Sequence, residues 1–113
     1  MNAVSPYLIT EVKGENMPLF VIIGHDVADS LDKRTKARPA HLERLNTLMA
    51  HNRLILAGPT PIAHGESAMS GSVVVAEFED IHAAKAWAEA DPYIIAGVYH
   101  HVDVRPFIQV LPK

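Results

Sequence analysis

LFVII, residues 19–23, is a continuous apolar run in which most side chains are β-branched. Such a run is typical of a strand that is buried on both faces of a sheet. A second run of this kind, SVVVAEF, occupies residues 72–78. The chain is therefore predicted to place these two strands in the interior of a sheet.

A helix and a strand are predicted between these two runs. Pro39 suits the first position of a helix, where its missing N–H has no partner to lose. Apolar residues at helical spacing continue this helix to about Asn52. RLILAG, residues 53–58, is predicted as a strand that GPTP ends, and residues 62–71 as a loop.

A second helix and a last strand are predicted after residue 78. Asp80 is a suitable N-cap for a helix that ends near Asp91, because Pro92 cannot continue it. PYIIAG is consistent with one further turn. The last strand is predicted from about Tyr99 to Val110, with strictly alternating faces that place His100 and His101 on opposite sides.

The resulting order, βαββαβ, predicts an α+β fold of the ferredoxin-like class. This fold has a four-stranded antiparallel sheet with two helices on one face, and right-handed crossovers put the first and third strands in its centre. Those are the two most apolar strands. The helices leave the other face of the sheet open, so we expect a homodimer in which two open faces pack together.

Composition limits the function. The net charge of −3 gives no basic surface for nucleic acid, and no apolar run is long enough to span a membrane. The absence of cysteine excludes disulfides, thiolate metal sites and cysteine nucleophiles. We expect a cytoplasmic protein. Residues 1–16 are interpreted as an N-terminal extension, non-native or flexible, and residues 17–113 as one domain.

Strand directions in this topology bring polar residues to one end of the fold. The end of the first strand, the start of the first helix, the end of the second strand and the start of the last strand meet there. Such convergence is typical of a small-molecule site. The residues expected at this end are His25, Asp26, Arg34, Arg38, His41, Gly58, Pro59, His64, Asp91, Tyr93, His100 and His101.

His41 and Asp91 are the candidate catalytic pair. His41 borders the apolar stripe in the first turn of the predicted helix, where the helix dipole favours a neutral imidazole that can accept a proton. Asp91 lies on the inner face of the second helix and could accept the Nδ1–H of His41, which fixes the tautomer. The structural alternative is that His41 packs at the helix–sheet boundary and that Asp91 caps the PYIIAG turn.

Other residues at this end are candidates for binding. Arg34 or Arg38 could hold an anionic group of a ligand, unless Asp26 pairs with one of them and is structural. Tyr93, Gly58 and Pro59 would shape the wall. A metal site formed by His25, His64, His100 and His101 is not expected, because no pair has ligand spacing on a helix. No glycine-rich phosphate loop is found, and no cofactor is expected.

The motifs LFVIIGHD, RPAHLERL, LILAGP, GSVVVAEFED, AWAEADPYIIAGVY and RPF occur in this order. Together they resemble the YciI family (YCII-related domain) over nearly all of the chain beyond the first 16 residues. The resemblance implies a dimeric α+β barrel of ferredoxin-like protomers. It also implies a catalytic centre at His41 and Asp91, with Asp26, Arg34 and Arg38 as the matching acidic and arginine positions.

Two functions remain open at this point. In the first, the chain is a cofactor-independent lyase or isomerase that uses the His41–Asp91 pair on a small cyclic or aromatic compound. The resemblance supports this class, since a characterised relative is a dehydrochlorinase of a chlorinated hydroxyquinol and muconolactone isomerases share the architecture. In the second, a dimer of the same fold binds a small anionic ligand or regulates a partner without catalysis.

Overall fold

The computed structural model describes residues 17–112 of the chain. Residues 1–16, predicted to be an extension, lie outside the described part, and that interpretation stays a prediction. Within residues 17–112, no helix has the length and apolar character needed to cross a membrane. The elements are β1 Leu19–Asp26, α1 Leu31–Ala50, β2 Leu54–Pro61, β3 Met69–Glu77, α2 Ile81–Glu89, α3 Pro92–Ile95 and β4 Tyr99–Phe107.

The four strands form one sheet in the order β2-β3-β1-β4. All three neighbouring pairs are antiparallel, and Ile22 in the centre is opposite Val74 on one side and Val104 on the other. The predicted ferredoxin-like topology is confirmed. The apolar run at residues 19–23 and nearly all of that at residues 72–78 lie in β1 and β3, the two strands that have neighbours on both edges.

The core lies between the sheet and the two long helices. Phe20, Ile22, Val74 and Ala76 on one face of the sheet pack against apolar residues of both helices, which confirms that the helices share one face. The helix residues in this cluster are Leu45, Leu48, Ala84 and Ala88.

The other face of the sheet has no helix over it among residues 17–112. Alternation along β1 places Val21 and Ile23 on this face, and Val73 of β3 is opposite Ile23. Leu56 of β2 and Phe107 of β4 extend the surface to both edges, and their exposed fractions are 52% and 39%. We call this surface the open face.

The start of α1 differs from the prediction. The helix begins at Leu31, and Pro39 lies inside it. An interior proline costs about 3 kcal/mol because it removes a backbone hydrogen bond. Here the preceding turns are held in place by Arg34, whose buried guanidinium is anchored to Asp26 and to β3. This tertiary anchor outweighs the preference of proline for the first helical position.

The longer helix changes the position of His41. It lies ten residues after the first residue of α1 rather than in the first turn, so the helix-dipole argument for this residue was wrong. The same change places Arg34, Arg38 and His41 at spacings of four and three residues, which bring side chains to one face of a helix. One face of α1 therefore carries three of the predicted site residues.

The hairpin between β2 and β3 is longer than predicted. GPTP does not end β2: the strand continues to Pro61, which is paired with Met69 across the hairpin. Two prolines are tolerated because β2 is an edge strand, where half of the backbone N–H groups have no ladder partner. At the far end of the sheet, β4 stops at Phe107 rather than at Val110.

A β-bulge interrupts the alternation of β4. Asp26 is paired with Tyr99 and His25 with His101, so His100 is an extra residue without a counterpart on β1. A bulge of this kind turns neighbouring side chains toward the same side of a strand. The prediction that His100 and His101 lie on opposite faces was therefore wrong, and their rings contact each other at a centroid distance of 4.5 Å.

Candidate active site

A cavity of about 340 Å³ lies between α1 and the β2–β3 edge of the sheet. Its size is at the lower end of the range for small-molecule sites, which is roughly 300–1,000 Å³. Six residues that were predicted for the site line it: Arg34, Arg38, His41, Gly58, Pro59 and Tyr93. Sequence reasoning did not single out the other lining residues, Leu31, Thr35, Leu42, Leu45, Ala57, Met69 and Val74.

His41 and Asp91 form a buried pair beside this cavity. The Nδ1 of His41 is 2.9 Å from Oδ1 and 3.1 Å from Oδ2 of Asp91, and both side chains are less than a tenth exposed. An ionised carboxylate only accepts hydrogen bonds, so Nδ1 must carry the proton. Nε2 is then the basic nitrogen of the neutral ring. It has no hydrogen-bond partner within residues 17–112.

Asp91 is held by the backbone as well as by His41. It is the N-cap of α3, and its Oδ1 accepts a hydrogen bond from the Tyr93 N–H at 2.8 Å. Pro92 at the first helical position supports this cap. The capping and histidine-orienting arrangements, which the sequence left as alternatives, occur together in one carboxylate. A catalytic role for the pair stays a prediction.

Tyr93 fixes the plane of the histidine ring. The two rings are stacked with centroids 3.9 Å apart and an angle of 7°, and Tyr99 meets Tyr93 edge-on at 5.5 Å. Gly24 makes room for this arrangement, since a Cβ there would lie 2.4 Å from the Tyr99 ring. Burial raises the pKa of Tyr93, although Arg34 and Arg38 oppose the shift. The Tyr93 hydroxyl is therefore protonated at neutral pH.

Arg34 and Asp26 form a second buried pair that supports the cavity wall. Arg34 Nε and Nη2 donate to the Asp26 carboxylate at 2.6 and 3.0 Å, and Nη2 also donates to Gly71 O and Ser72 Oγ, each at 2.8 Å. Desolvation alone would lower the pKa of Arg34, but the hydrogen bond and charge of Asp26 raise it overall.

The Asp26 carboxylate has a second hydrogen-bond donor besides Arg34. Ser30 donates to it, and the Asp26 side chain has no exposed surface. Asp26 is not among the residues that line the cavity, and neither is Asp91. The geometry therefore favours positioning roles for both carboxylates, and ligand contact by Asp26 stays a prediction.

Arg38 differs from Arg34 in its surroundings. It lines the cavity but is exposed, and no ion pair or hydrogen bond of its guanidinium is found within the described residues. Its charge is therefore available to an incoming anion, whereas the charge of Arg34 is compensated by Asp26. Of the two predicted anion-binding arginines, Arg38 is the better placed.

Arg44 is a site residue that sequence reasoning missed. Its Nη1 lies 3.7 Å from Asp91 Oδ2, and Nη2 donates to the Trp87 carbonyl at 2.9 Å. Burial lowers the pKa of Arg44, and the charge of Asp91 partly offsets this shift. The spacing of three residues from His41 on one helix was the available signal. Arg44 places a positive charge behind the Asp91 carboxylate.

Fold and site together define a class of protein: a ferredoxin-like protomer with a buried histidine–aspartate pair beside a cavity of small-molecule size. The YCII-related domain matches residues 18–108 of the chain. The chain belongs to the YCII-related family, which confirms the resemblance stated from the sequence motifs.

Known relatives agree with this assignment. Protein YciI of Escherichia coli O6:H1 (strain CFT073) is 53% identical over 96 residues, which cover 81% of this chain and 98% of the relative. An uncharacterized protein of Haemophilus influenzae (strain Rd) is 46% identical over 95 residues, or 80% and 97% of the two chains.

One solved structure that is similar to this chain contains a bound ligand. It is the 5-chloro-2-hydroxyhydroquinone dehydrochlorinase TftG of Burkholderia phenoliruptrix AC1100, in complex with 2,5-dihydroxybenzoquinone. It superposes with a TM-score of 0.71 at 30% sequence identity, covering 80% of this chain and 93% of TftG. The chain therefore has the same fold as a dehydrochlorinase.

Proposed function

We propose that this protein is a cofactor-independent lyase or isomerase of small cyclic or aromatic anions, with His41 as its acid–base residue. The observation that carries the proposal is the geometry of His41: Nδ1 donates to buried Asp91, while the same ring lines the cavity. A histidine with one nitrogen fixed by a carboxylate and the other free is the arrangement that general acid–base catalysis requires.

The chemistry needs one group that can both give and accept a proton, and a place for charge. For loss of HCl from a chlorinated hydroxyquinol, Nε2 of His41 first accepts a hydroxyl proton and returns it to the ring carbon that carries chlorine, which gives a keto tautomer. Nε2 then accepts the proton of a second hydroxyl: the freed electron pair forms a carbonyl, the ring double bond shifts toward the chlorinated carbon, and chloride leaves with the electrons of the carbon–chlorine bond. Asp91 then faces an imidazolium and stabilises it, and Arg38 faces the anionic oxygens of the ring.

The solved relative supports the substrate class. TftG is a dehydrochlorinase of a chlorinated hydroxyquinol and was solved with a dihydroxyquinone, which is a flat ring with acidic hydroxyl groups. The cavity here offers matching features: apolar side chains for the ring, stacked Tyr93, strand residues Gly58 and Pro59 as a wall, and the charge of Arg38.

The direct experiment measures product formation from 5-chloro-2-hydroxyhydroquinone and from small unsaturated lactones, with chloride release and ring absorbance as signals. Turnover by the wild-type chain supports the proposal. The alternative, a binding or regulatory module, predicts that 2,5-dihydroxybenzoquinone raises the melting temperature while every candidate substrate is recovered unchanged. That second result would remove the catalytic proposal and keep the binding site.

Arg38→Ala is expected to weaken binding of 2,5-dihydroxybenzoquinone by about 10- to 100-fold, because a hydrogen bond to a charged group contributes roughly 1.5–3 kcal/mol. Titration calorimetry of both proteins at equal ionic strength measures the change. Lys36→Ala is the matched control, since Lys36 is an exposed cation on the same helix that does not line the cavity. Equal affinities of wild type and Arg38→Ala would remove Arg38 from the site.

We further propose that the open face is the contact between two copies of this chain. Leu56→Glu should convert a dimer into a monomer at micromolar concentration, because it places a charge within an apolar surface. Sedimentation velocity measures the change. Ile95→Glu is the control: Ile95 is 82% exposed but belongs to α3, away from the open face. A wild-type monomer at that concentration would contradict the proposal.

A further inference from the structure

A cluster of potential metal ligands lies on the open face of the sheet, away from the cavity. His25, His101 and Asp103 each offer one ligand atom, and these atoms lie within 4.8 Å of one another. His25 Nε2 and Asp103 Oδ2 are 2.9 Å apart, and the rings of His25 and His101 are stacked at 4.2 Å. Among residues 17–112 this is the one group of its kind.

The bulge in β4 enlarges the cluster. Because His100 is the extra residue, its ring lies beside His101, with the two Nδ1 atoms 2.7 Å apart. The ring centroid of His100 is also 6.2 Å from that of His25. Three imidazoles and one carboxylate therefore meet at the junction of β1 and β4, an arrangement that strict alternation along β4 would not produce.

We propose that this cluster binds a divalent first-row transition-metal ion of the Zn²⁺, Ni²⁺ or Cu²⁺ class. His25, His101 and Asp103 are the ligands, and His100 is placed to complete the set. Imidazole suits these ions, and two or three histidines with one carboxylate form an established type of donor set. The hard cations Ca²⁺ and Mg²⁺ prefer oxygen donors and are not expected here.

Ligand geometry requires the three ligand atoms to move closer together than the 4.8 Å within which they lie. Bonds of about 2.1 Å to a tetrahedral ion require ligand atoms roughly 3.4 Å apart. In the single chain, without a second copy on the open face, the His25 and Asp103 side chains are 37% and 40% exposed, which leaves room for rotation about their side-chain bonds. The His25–Asp103 contact already brings one nitrogen and one oxygen to a suitable separation.

The proposed metal site is independent of the proposed catalysis. Alternation along β1 places His25 on the face opposite Phe20 and Ile22, so the sheet separates the cluster from the cavity. The two sites can therefore be tested separately, and a failure of one leaves the other unaffected.

The experiment uses the tag-free full chain and titrates it with ZnCl₂ and NiCl₂ in a non-chelating buffer. Calorimetry should give a saturable event of one ion per chain, and His101→Ala should weaken it at least about tenfold. Cu²⁺ provides a second readout, because electron paramagnetic resonance should show nitrogen couplings in the wild type that decrease in His101→Ala. Asp103→Asn should also weaken binding, with an unchanged far-ultraviolet circular dichroism spectrum.

His82→Ala is the matched control, since His82 is an exposed histidine of α2 outside the cluster. It should bind the ions as the wild type does. Two results would overturn the proposal: no saturable binding by the wild-type chain, or equal loss of affinity in His82→Ala and His101→Ala, which would indicate unspecific binding by surface histidines.

Discussion

His41→Ala is expected to lower kcat/KM for elimination or isomerisation by about 10²–10⁴-fold, the range that a positioned acid–base group contributes. The variant removes the imidazole that lies beside the cavity and leaves Asp91 with its cap bond to the Tyr93 N–H. The binding of 2,5-dihydroxybenzoquinone should change much less than turnover, because Arg38 and the apolar wall remain. Steady-state kinetics and calorimetry on the same preparation separate the two effects.

The control for this experiment must exclude a loss of fold. His41 is buried and stacked on Tyr93, so its truncation leaves a cavity that lowers the free energy of unfolding. His41→Gln keeps most of the volume and cannot act as a base, and it should lose turnover to the same extent while it melts close to wild type. Wild-type turnover by either variant would contradict the acid–base role of His41.

Asp26→Ala is expected to have the largest effect on stability, about 3–5 kcal/mol, because it leaves a buried guanidinium without its counter-charge. Arg34 is 7% exposed and cannot turn to water without leaving Gly71 and Ser72. Since this pair also anchors the first turns of α1, those turns should loosen. Urea unfolding followed by circular dichroism measures the free energy.

Asp103→Ala is the matched control for Asp26→Ala. Its partner is again a basic side chain, His25, but both side chains are more than a third exposed. Exposed pairs contribute little, so in metal-free protein this variant should unfold close to wild type. If Asp26→Ala were as mild as Asp103→Ala, the buried pair would not be what holds the early part of α1.

Much of the fold was predictable from residue patterns. The runs at residues 19–23 and 72–78 form most of the two central strands. Burial of a central strand requires apolar side chains on both of its faces, and such a run can be read directly from consecutive residues. The start of α1 was not predictable from such patterns. Local preference puts Pro39 at the beginning of a helix. The contacts of Arg34 with nearby Asp26 and with β3, which is distant in sequence, move the start to Leu31.

The candidate site was predictable where topology alone decides it. His41 and Asp91 are 50 positions apart, yet the βαββαβ order brings α1, which contains His41, close to the end of α2, which Asp91 follows. The orientation of individual side chains could not be predicted from the sequence to the same extent. Only the structure shows that Arg34 is paired while Arg38 is not, and that a bulge brings His100 beside His101. These details depend on exact register and side-chain rotamers, which a hydrophobic pattern does not encode.

The central claim is that Asp91 orients His41 for proton transfer, and Asp91→Asn tests it most directly. The amide oxygen of asparagine can still accept the Tyr93 N–H, so the cap and the fold should persist. The amide cannot supply the negative charge that stabilises an imidazolium, and its NH₂ group favours the tautomer with the proton on Nε2. We expect a loss of about 10²-fold or more in kcat/KM with an unchanged far-ultraviolet circular dichroism spectrum. Wild-type kcat/KM in Asp91→Asn would show that Asp91 is a helix cap alone and would contradict the account.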